Sequence, residues 1–262
     1  DMGDGGYTHF YETSISRKIK NHIERVKSKY IDLFTVETLK YYNDLKNNAM
    51  FAGGRIQYLT NGVSNLEIDT KKLDNITKEN IVLTVGRLGI YEKNNEMLLE
   101  AIARLPKSLL EQWKFYFVGP KTDSFNLFTE NFFEKYDNLR NSIVFTGPIT
   151  NREELYAIYS KSKIYCLTSR SEGFNISVLE AMYYGCYPVL SNYGVSAYDV
   201  TNDGTIGDIC EQGNINDYAN KLQMAILTYS DETALNIKAI ARNKYNYQTI
   251  AETLDDAINH LK

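Results

Sequence analysis

Three observations on this sequence predict an α/β fold built on a Rossmann-like, doubly wound parallel sheet. Short apolar runs recur at residues 81–85, 115–118, 143–146, 164–167, 188–190 and, as the weakest pattern, 206–210. Stretches with helical periodicity separate them, at 97–105, 125–136, 153–160 and 176–184. The runs are apolar throughout rather than alternating, as strands covered by helices on both faces must be. Right-handed crossovers between parallel strands then wind the chain onto both faces.

Ahead of this region, Ile19, Ile23, Val26 and Tyr30 fall at i, i+4, i+7 and i+11, which predicts an amphipathic helix over residues 16–30. Residues 31–36 read as a strand, Leu39, Tyr42 and Leu45 mark a helix, and residues 56–59 form a short strand ended by Asn61-Gly62. These segments supply too few strands for a sheet of their own. They are expected to be the truncated remnant of a second α/β domain, spanning residues 1–64. The chain opens mid-loop on Asp1 and is expected to be cut from something longer. Residues 63–79 are polar and mixed in charge, as an interdomain linker would be. The main domain is expected over residues 65–242. Near its end, Tyr218, Leu222, Ala225 and Ile226 share a helical face. Ile250, Leu254, Ile258 and Leu261 do the same in a last helix, residues 243–262, which is expected to pack back toward the first domain.

Composition narrows the function. With 262 residues, 43% hydrophobic and 24% charged, the chain can bury a substantial core. A net charge of −4 argues against nucleic acid as a partner. Cys166, Cys186 and Cys210 are far apart and odd in number, so buried thiols in a reducing cytoplasm are expected. No run of ~18 apolar residues is present to span a membrane. No basic amphipathic helix stands out either, which leaves association with a membrane surface open.

Chemistry-bearing residues gather at strand ends, where ligands of such sheets bind. After residues 81–85 comes Gly86-Arg87-Leu88-Gly89, then Glu92-Lys93-Asn94. Arg87 and Lys93 can both reach a diphosphate, although a solvated loop with two ordinary cations would look the same. The segment is neither a P-loop nor the G-x-G-x-x-G dinucleotide fingerprint. Gly119 and Gly147 end two further strands and read as tight turns. The most specific stretch is residues 169–182, in which a Gly-containing loop joins the 164–167 strand to a helix. Backbone N–H groups from Gly173 to Ser177 are expected to face an anion. Glu172 precedes the helix and can meet ligand hydroxyls, while Glu180 can accept two bonds from a ribose diol. Two structural alternatives stand beside these roles. Ser177-x-x-Glu180 also matches a helix capping box, and Glu172 can simply complement the helix N-terminus. Two cations, a helix start and two carboxylates together describe a diphosphate with sugars at both ends, a nucleotide-sugar.

Several motifs carry a family resemblance. Glu172-Gly173-Phe174-Asn175, Glu180-Ala181-Met182 and Gly185-Cys186-Tyr187-Pro188-Val189 resemble the C-terminal donor-binding domain of retaining GT-B glycosyltransferases, glycosyltransferase family 4. Gly86-Arg87, Lys93-Asn94, Gly119, Gly147 and Thr60-Asn61-Gly62-Val63 resemble its earlier signature positions. The likeness runs from about Thr60 to Ile226. It implies that Arg87 and Lys93 hold the donor diphosphate and that Glu172 contacts the donor sugar, these three being the catalytic set. It implies substrate binding by Gly86 and by the backbone of Gly173, Phe174, Asn175 and Ile176. Glu180 would bind the ribose, and the backbone near Ile149 the base. A UDP- or GDP-type donor, a glycan or lipid-linked acceptor, retention of configuration and no bound metal or other cofactor follow from the same likeness. So do a role in polysaccharide biosynthesis and a place in the cytoplasm, at the inner membrane surface in relatives that use lipid-linked acceptors. The sequence departs from the family at Gly194-Val195-Ser196-Ala197-Tyr198-Asp199, which replaces a Gly-Gly-x-Pro-Glu-like segment and leaves that loop's role open. The acceptor domain's Gly-rich loop and active-site histidine are absent, His9 lying too near the start to be assigned. Donor binding without efficient transfer is therefore expected of this chain. Two alternatives share the site: a GT-B-fold epimerase acting on a nucleotide-sugar, and a non-catalytic nucleotide-binding or partner subunit.

Overall fold

Residues 30–48, 55–64 and 70–260 are described by the computed structural model of the chain. The helix expected over residues 16–30 and His9 lie outside them, Tyr30 apart. Strand β1 (Phe34–Val36), helix α1 (Leu39–Leu45) and strand β2 (Ile56–Tyr58) come first, and the two strands pair in parallel. Strand β1 starts later than the expected residue 31, and Ile31 is exposed. A short helix α2 (Thr70–Asp74) then occupies part of the expected linker, with Leu73 buried.

The main sheet follows in regular alternation. Its elements are β3 (Glu79–Val85), α3 (Asn95–Ile102), α4 (Lys107–Gln112), β4 (Lys114–Val118), α5 (Asp123–Lys135), β5 (Ile143–Gly147), α6 (Arg152–Lys161), β6 (Ser162–Leu167), α7 (Ile176–Tyr183), β7 (Tyr187–Ser191), α8 (Val195–Thr201) and β8 (Asp208–Cys210). Helices α9 (Ile215–Thr228), α10 (Asp231–Lys244) and α11 (Tyr247–Asn259) close the described chain. Six strands pair in the order β5-β4-β3-β6-β7-β8, every pair parallel. The chain runs outward from β3 through β4 to β5, then returns to β6 on β3's other side. That reversal places the topological switch point between β3 and β6, at their carboxyl ends.

Alternation along each strand feeds two cores. On β6, Ile164 and Cys166 join the side that holds Leu98, Phe115, Phe117, Phe125 and Leu222. Tyr165 and Leu167 join the other side, with Leu83, Tyr156, Tyr159, Val178 and Leu179. All three cysteines are buried free thiols, and burial pushes the Cys166 thiol up to about 12.

Helices α4 and α8 have no counterpart among the helical stretches read from the sequence, and α10 falls between the two stripes of the helical tail. Helix α10 buries Ala234, Ile237 and Ala241, and two of those three contacts are alanines too small to register as an apolar stripe. Its start is nonetheless capped by Ser230, which accepts from the Thr233 N–H at 3.1 Å. The junction of α10 and α11 lies beside residues 62–63. The Val63 N–H donates to Tyr245 O at 2.8 Å, the Tyr247 N–H to Val63 O at 3.3 Å, and Ile250 packs over Gly62. Helix α11 has no buried residue, and Ile258 on its apolar face is exposed.

Candidate functional site at the β3–β6 switch point

Strand-end glycines let the site form. At Gly119 a Cβ would stand 1.8 Å from the Gly86 carbonyl oxygen, with φ at +138°, so only glycine fits against the neighbouring turn. The Gly86 N–H donates to Val118 O at 2.9 Å and the Gly119 N–H to Gly147 O at 3.0 Å. The ends of β3, β4 and β5 are thereby laced edge to edge. Gly86 keeps its own open side next to Lys93, whose Cε lies 3.8 Å from where a Cβ would be.

Across the switch point the loops after β3 and β6 meet. Lys93 Nζ lies 2.6 Å from Glu172 Oε1, with both side chains largely shielded, although 79 positions separate them. Ser169 Oγ donates to the same carboxylate oxygen at 2.5 Å. Four further contacts fasten the two loops. Thr168 Oγ1 donates to Lys93 O at 3.1 Å and to Asn94 O at 2.9 Å. The Arg170 N–H donates to Glu92 O at 2.7 Å, and the Arg170 guanidinium donates to Tyr91 O while stacking over its ring. Thr168 is 2% exposed, so its hydroxyl depends on these carbonyls rather than on water for its hydrogen bond. Arg87 stands in the same β3 loop, exposed and without an ion pair among the described residues.

The start of α7 is narrower than the sequence implied. Asn175 is the N-cap, and its Oδ1 accepts from the N–H groups of Ser177 at 3.0 Å and Val178 at 3.4 Å. Those two groups are therefore not free for an anion. The N–H groups of Gly173, Phe174, Asn175 and Ile176 have no acceptor among the described residues. Gly173 borders open space, and Ile176 is half exposed. The Phe174 ring turns inward against Tyr245, centroids 6.3 Å apart. Ser196, at the start of α8, donates to Gly173 O at 2.6 Å and fixes one side of that peptide. The 194–199 segment is tied down elsewhere too: Asp199 Oδ2 accepts from the Leu39 N–H at 2.6 Å, and Asp199 O from Lys244 Nζ at 3.0 Å.

Glu180 does not close a capping box. Its Oε1 accepts from Arg152 Nη1 at 3.0 Å and from the Tyr156 hydroxyl at 3.2 Å, and its Oε2 from the Tyr159 hydroxyl at 3.2 Å. Ser177 Oγ instead donates to Asn175 Oδ1 at 2.5 Å and is hydrogen-bonded to the Tyr165 hydroxyl at 2.5 Å. Burial raises the Glu180 carboxyl above its ordinary value, with Arg152 and the tyrosine hydroxyls acting in the opposite direction. Ile149 is half-buried in the β5–α6 loop that leads to Arg152, beside the core that contains Tyr156. All ten residues singled out from the sequence therefore stand on loops or helix starts at the carboxyl edge of β3, β5 and β6, except Glu180, which is one turn inside α7. Thr168, Arg152, Tyr156 and Tyr159, which no spacing in the sequence marks, supply most of the fastening together with Ser169 and Arg170 of the 169–182 stretch.

A hollow of about 620 Å³ lies elsewhere, at the β8 edge, with Asp203, Asp208, Glu211 and Asp217 in its lining. Its four carboxylates outnumber the one cation in the lining, Lys221, and would repel a diphosphate. Among the described residues no group of His, Cys, Asp and Glu could hold a metal ion.

A family profile described as glycosyl transferases group 1 matches residues 66–244. Among curated proteins, the chain is similar to the GalNAc-α-(1→4)-GalNAc-α-(1→3)-diNAcBac-PP-undecaprenol α-1,4-N-acetyl-D-galactosaminyltransferase of Campylobacter jejuni, 34% identical over 130 residues, covering 50% of this chain and 34% of that protein. An uncharacterized glycosyltransferase of Haemophilus influenzae is 33% identical over 155 residues, covering 59% and 40%. Anabaena Alr3699/HepE in complex with UDP superposes with a TM-score of 0.71 at 17% identity, over 96% of this chain and 69% of that one. The pneumococcal O-GlcNAc transferase GtfA in complex with UDP and GlcNAc gives 0.69 at 20% identity, over 91% and 47%. At such identities the two structures speak for the fold alone.

Proposed function

Because the chain belongs to the group 1 glycosyl transferases and has the GT-B form of α/β sheet, we propose that the protein moves a sugar from a nucleoside-diphosphate donor to a hydroxyl of a glycan or lipid-linked acceptor. The donor is of the UDP or GDP type and the transferred group a hexosyl unit. The family 4 type and retention at the anomeric carbon are part of the same proposal. One observation carries it: the Lys93–Glu172 pair, joined at 2.6 Å from two distant loops at the switch point of a parallel sheet.

The chemistry follows from charge. In transfer, the bond from the sugar's anomeric carbon to the diphosphate oxygen breaks, and a bond to the acceptor oxygen forms. The nucleoside diphosphate leaves carrying the electron pair, and its departing oxygen takes up the proton that the acceptor hydroxyl loses. Positive groups already in place where that charge develops lower the barrier more than groups that must reorganise. Lys93 and Arg87 take that role, supported by the N–H groups from Gly173 to Ile176. Glu172, fixed by Lys93 and Ser169, receives hydroxyls of the donor sugar. Glu180 receives the ribose, and the backbone at Ile149 the base. No resident cofactor is part of this scheme.

The division of the chain into residues 1–64, 65–242 and 243–262 belongs to the proposal, with the middle part as the donor-binding domain. So does a cytoplasmic location, at the inner membrane surface if the acceptor is lipid-linked. Among the described residues no helix is long and apolar enough to cross a membrane. The aligned regions span 34% and 40% of the length of the two curated relatives, so the test belongs on the full-length protein. UDP- and GDP-sugars are offered in turn with glycan and lipid-linked acceptors, and released nucleoside diphosphate is measured. Release from one class of donor, lost in Lys93→Ala, is the expected result. No release and no binding of any donor by folded protein would overturn the proposal.

A further inference from the structure

A carboxylate presents about four lone-pair positions, two on each oxygen. On Glu180, Arg152 and Tyr156 fill both positions of Oε1, and Tyr159 fills one of Oε2. One position is left. The two vicinal hydroxyls of a ribose need two, so one occupant has to leave before both can be held. Tyr156 and Tyr159 are fixed: both are completely buried, and each packs against Tyr184. Arg152 is not. Its side chain is 68% exposed against 9% for Glu180, and it sits on the first residue of α6 at the open edge of the site. Its Nη1 also donates to the Tyr156 hydroxyl at 2.8 Å, so one exposed guanidinium nitrogen bridges Tyr156 and Glu180.

Resting on the reading of Glu180 as the ribose ligand, we propose that Arg152 is a displaceable gate that sets how strongly the site distinguishes a ribonucleotide from a deoxyribonucleotide. In the empty site Arg152 holds the second diol position. A ribonucleoside diphosphate displaces it to seat both hydroxyls, whereas a 2′-deoxy nucleotide seats its single hydroxyl on the remaining position and leaves the ion pair intact. A pair with one largely exposed partner is weak, so displacement is feasible and its removal is worth about two- to five-fold in affinity. Arg152 is thus a specificity-determining residue for the donor.

Equilibrium titration of the full-length protein tests this, with UDP, GDP and their 2′-deoxy counterparts against wild type, Arg152→Ala, Arg152→Gln and Glu180→Gln. For whichever base binds, both Arg152 variants are expected to tighten the ribonucleotide about two- to five-fold. The deoxynucleotide stays unchanged, so the ribo-to-deoxy preference widens by the same factor. Glu180→Gln is expected to erase the preference. If it does while the Arg152 variants leave the preference unchanged or narrower, the gate alone is overturned. If the preference survives Glu180→Gln, or no nucleotide binds, the ribose reading fails and the gate with it. Thermal melting of each variant separates these results from loss of fold.

Discussion

Glu172 and Glu180 stand on one strand–loop–helix unit, yet they are held in opposite ways. The loop glutamate meets a cation from the far side of the switch point, and its position depends on Thr168 and Arg170 keeping two loops together. The helix glutamate is fixed by packing, between two buried tyrosines and one exposed arginine, and burial raises its carboxyl. One carboxylate is placed by loop fastening and the other by the core, and both are largely shielded, at 14% and 9% exposure. Damage to the first should therefore appear in chemistry, and damage to the second in stability and its pH dependence.

The largest effect is expected at the loop end. Lys93→Ala removes one of the two cations proposed to meet the leaving diphosphate, and initial rates of transfer should fall about 100- to 1,000-fold. A Glu180→Gln protein with an equal or larger loss of rate would erase the contrast between the two acids. Next comes Thr168→Val, which keeps the shape and removes the one hydroxyl donor shared by Lys93 O and Asn94 O. Urea denaturation should show a loss of about 1–3 kcal/mol, and nucleotide affinity should weaken with it, because the loop fastening sets the site.

Tyr159→Phe sharpens the helix end. The lost hydroxyl stabilises the charged form of Glu180, so its removal lifts a carboxyl that burial has already raised. When the folded-state value lies above the unfolded one, stability falls as pH rises through the interval between them. The variant should lose about 1 kcal/mol at pH ~8 and less at pH ~4, measured by denaturation at each pH. The smallest effect is expected well away from both acids. Asp74 pairs with Arg242 at 2.5 Å and Lys238 at 3.2 Å, and the Arg242 hydrogen bonds hold its carboxyl below the usual range. Its contribution is present above the unfolded value and is lost as pH falls. Asp74→Asn should cost less than about 1 kcal/mol, vanish in acid, and leave nucleotide binding unchanged.

Local patterns made the sheet legible. Each of the six main strands overlaps an apolar run, because a strand buried on both faces writes its position into consecutive residues. The two glutamates were legible because a strand, a loop and a helix start lie within eighteen residues of one another in sequence, on the order of one supersecondary unit. Their partners were not. Arg152 and Tyr159 reach Glu180 only because α6 packs beside α7, and Thr168 reaches Lys93 only because β6 lies beside β3. Such pairs leave no periodic trace. The N-cap of α7 was obscured differently: Ser177-x-x-Glu180 imitated a capping box two residues past Asn175, although Asn directly before Ile176 is itself a cap residue. Within the helical tail, α10 writes no stripe of its own because two of its three buried residues are alanines.

The central claim is that the Lys93–Glu172 edge of the switch point holds the diphosphate of a sugar donor. Isothermal titration of UDP and GDP into full-length wild-type and Lys93→Ala protein tests it most directly, with Lys221→Ala as a cation control at the acidic β8 hollow. One of the two nucleotides should bind the wild type, bind Lys93→Ala about tenfold or more weakly as a lost charge-assisted contact requires, and bind Lys221→Ala unchanged. Affinity indifferent to Lys93 but lost with Lys221 would contradict it and move the donor to the other edge of the sheet.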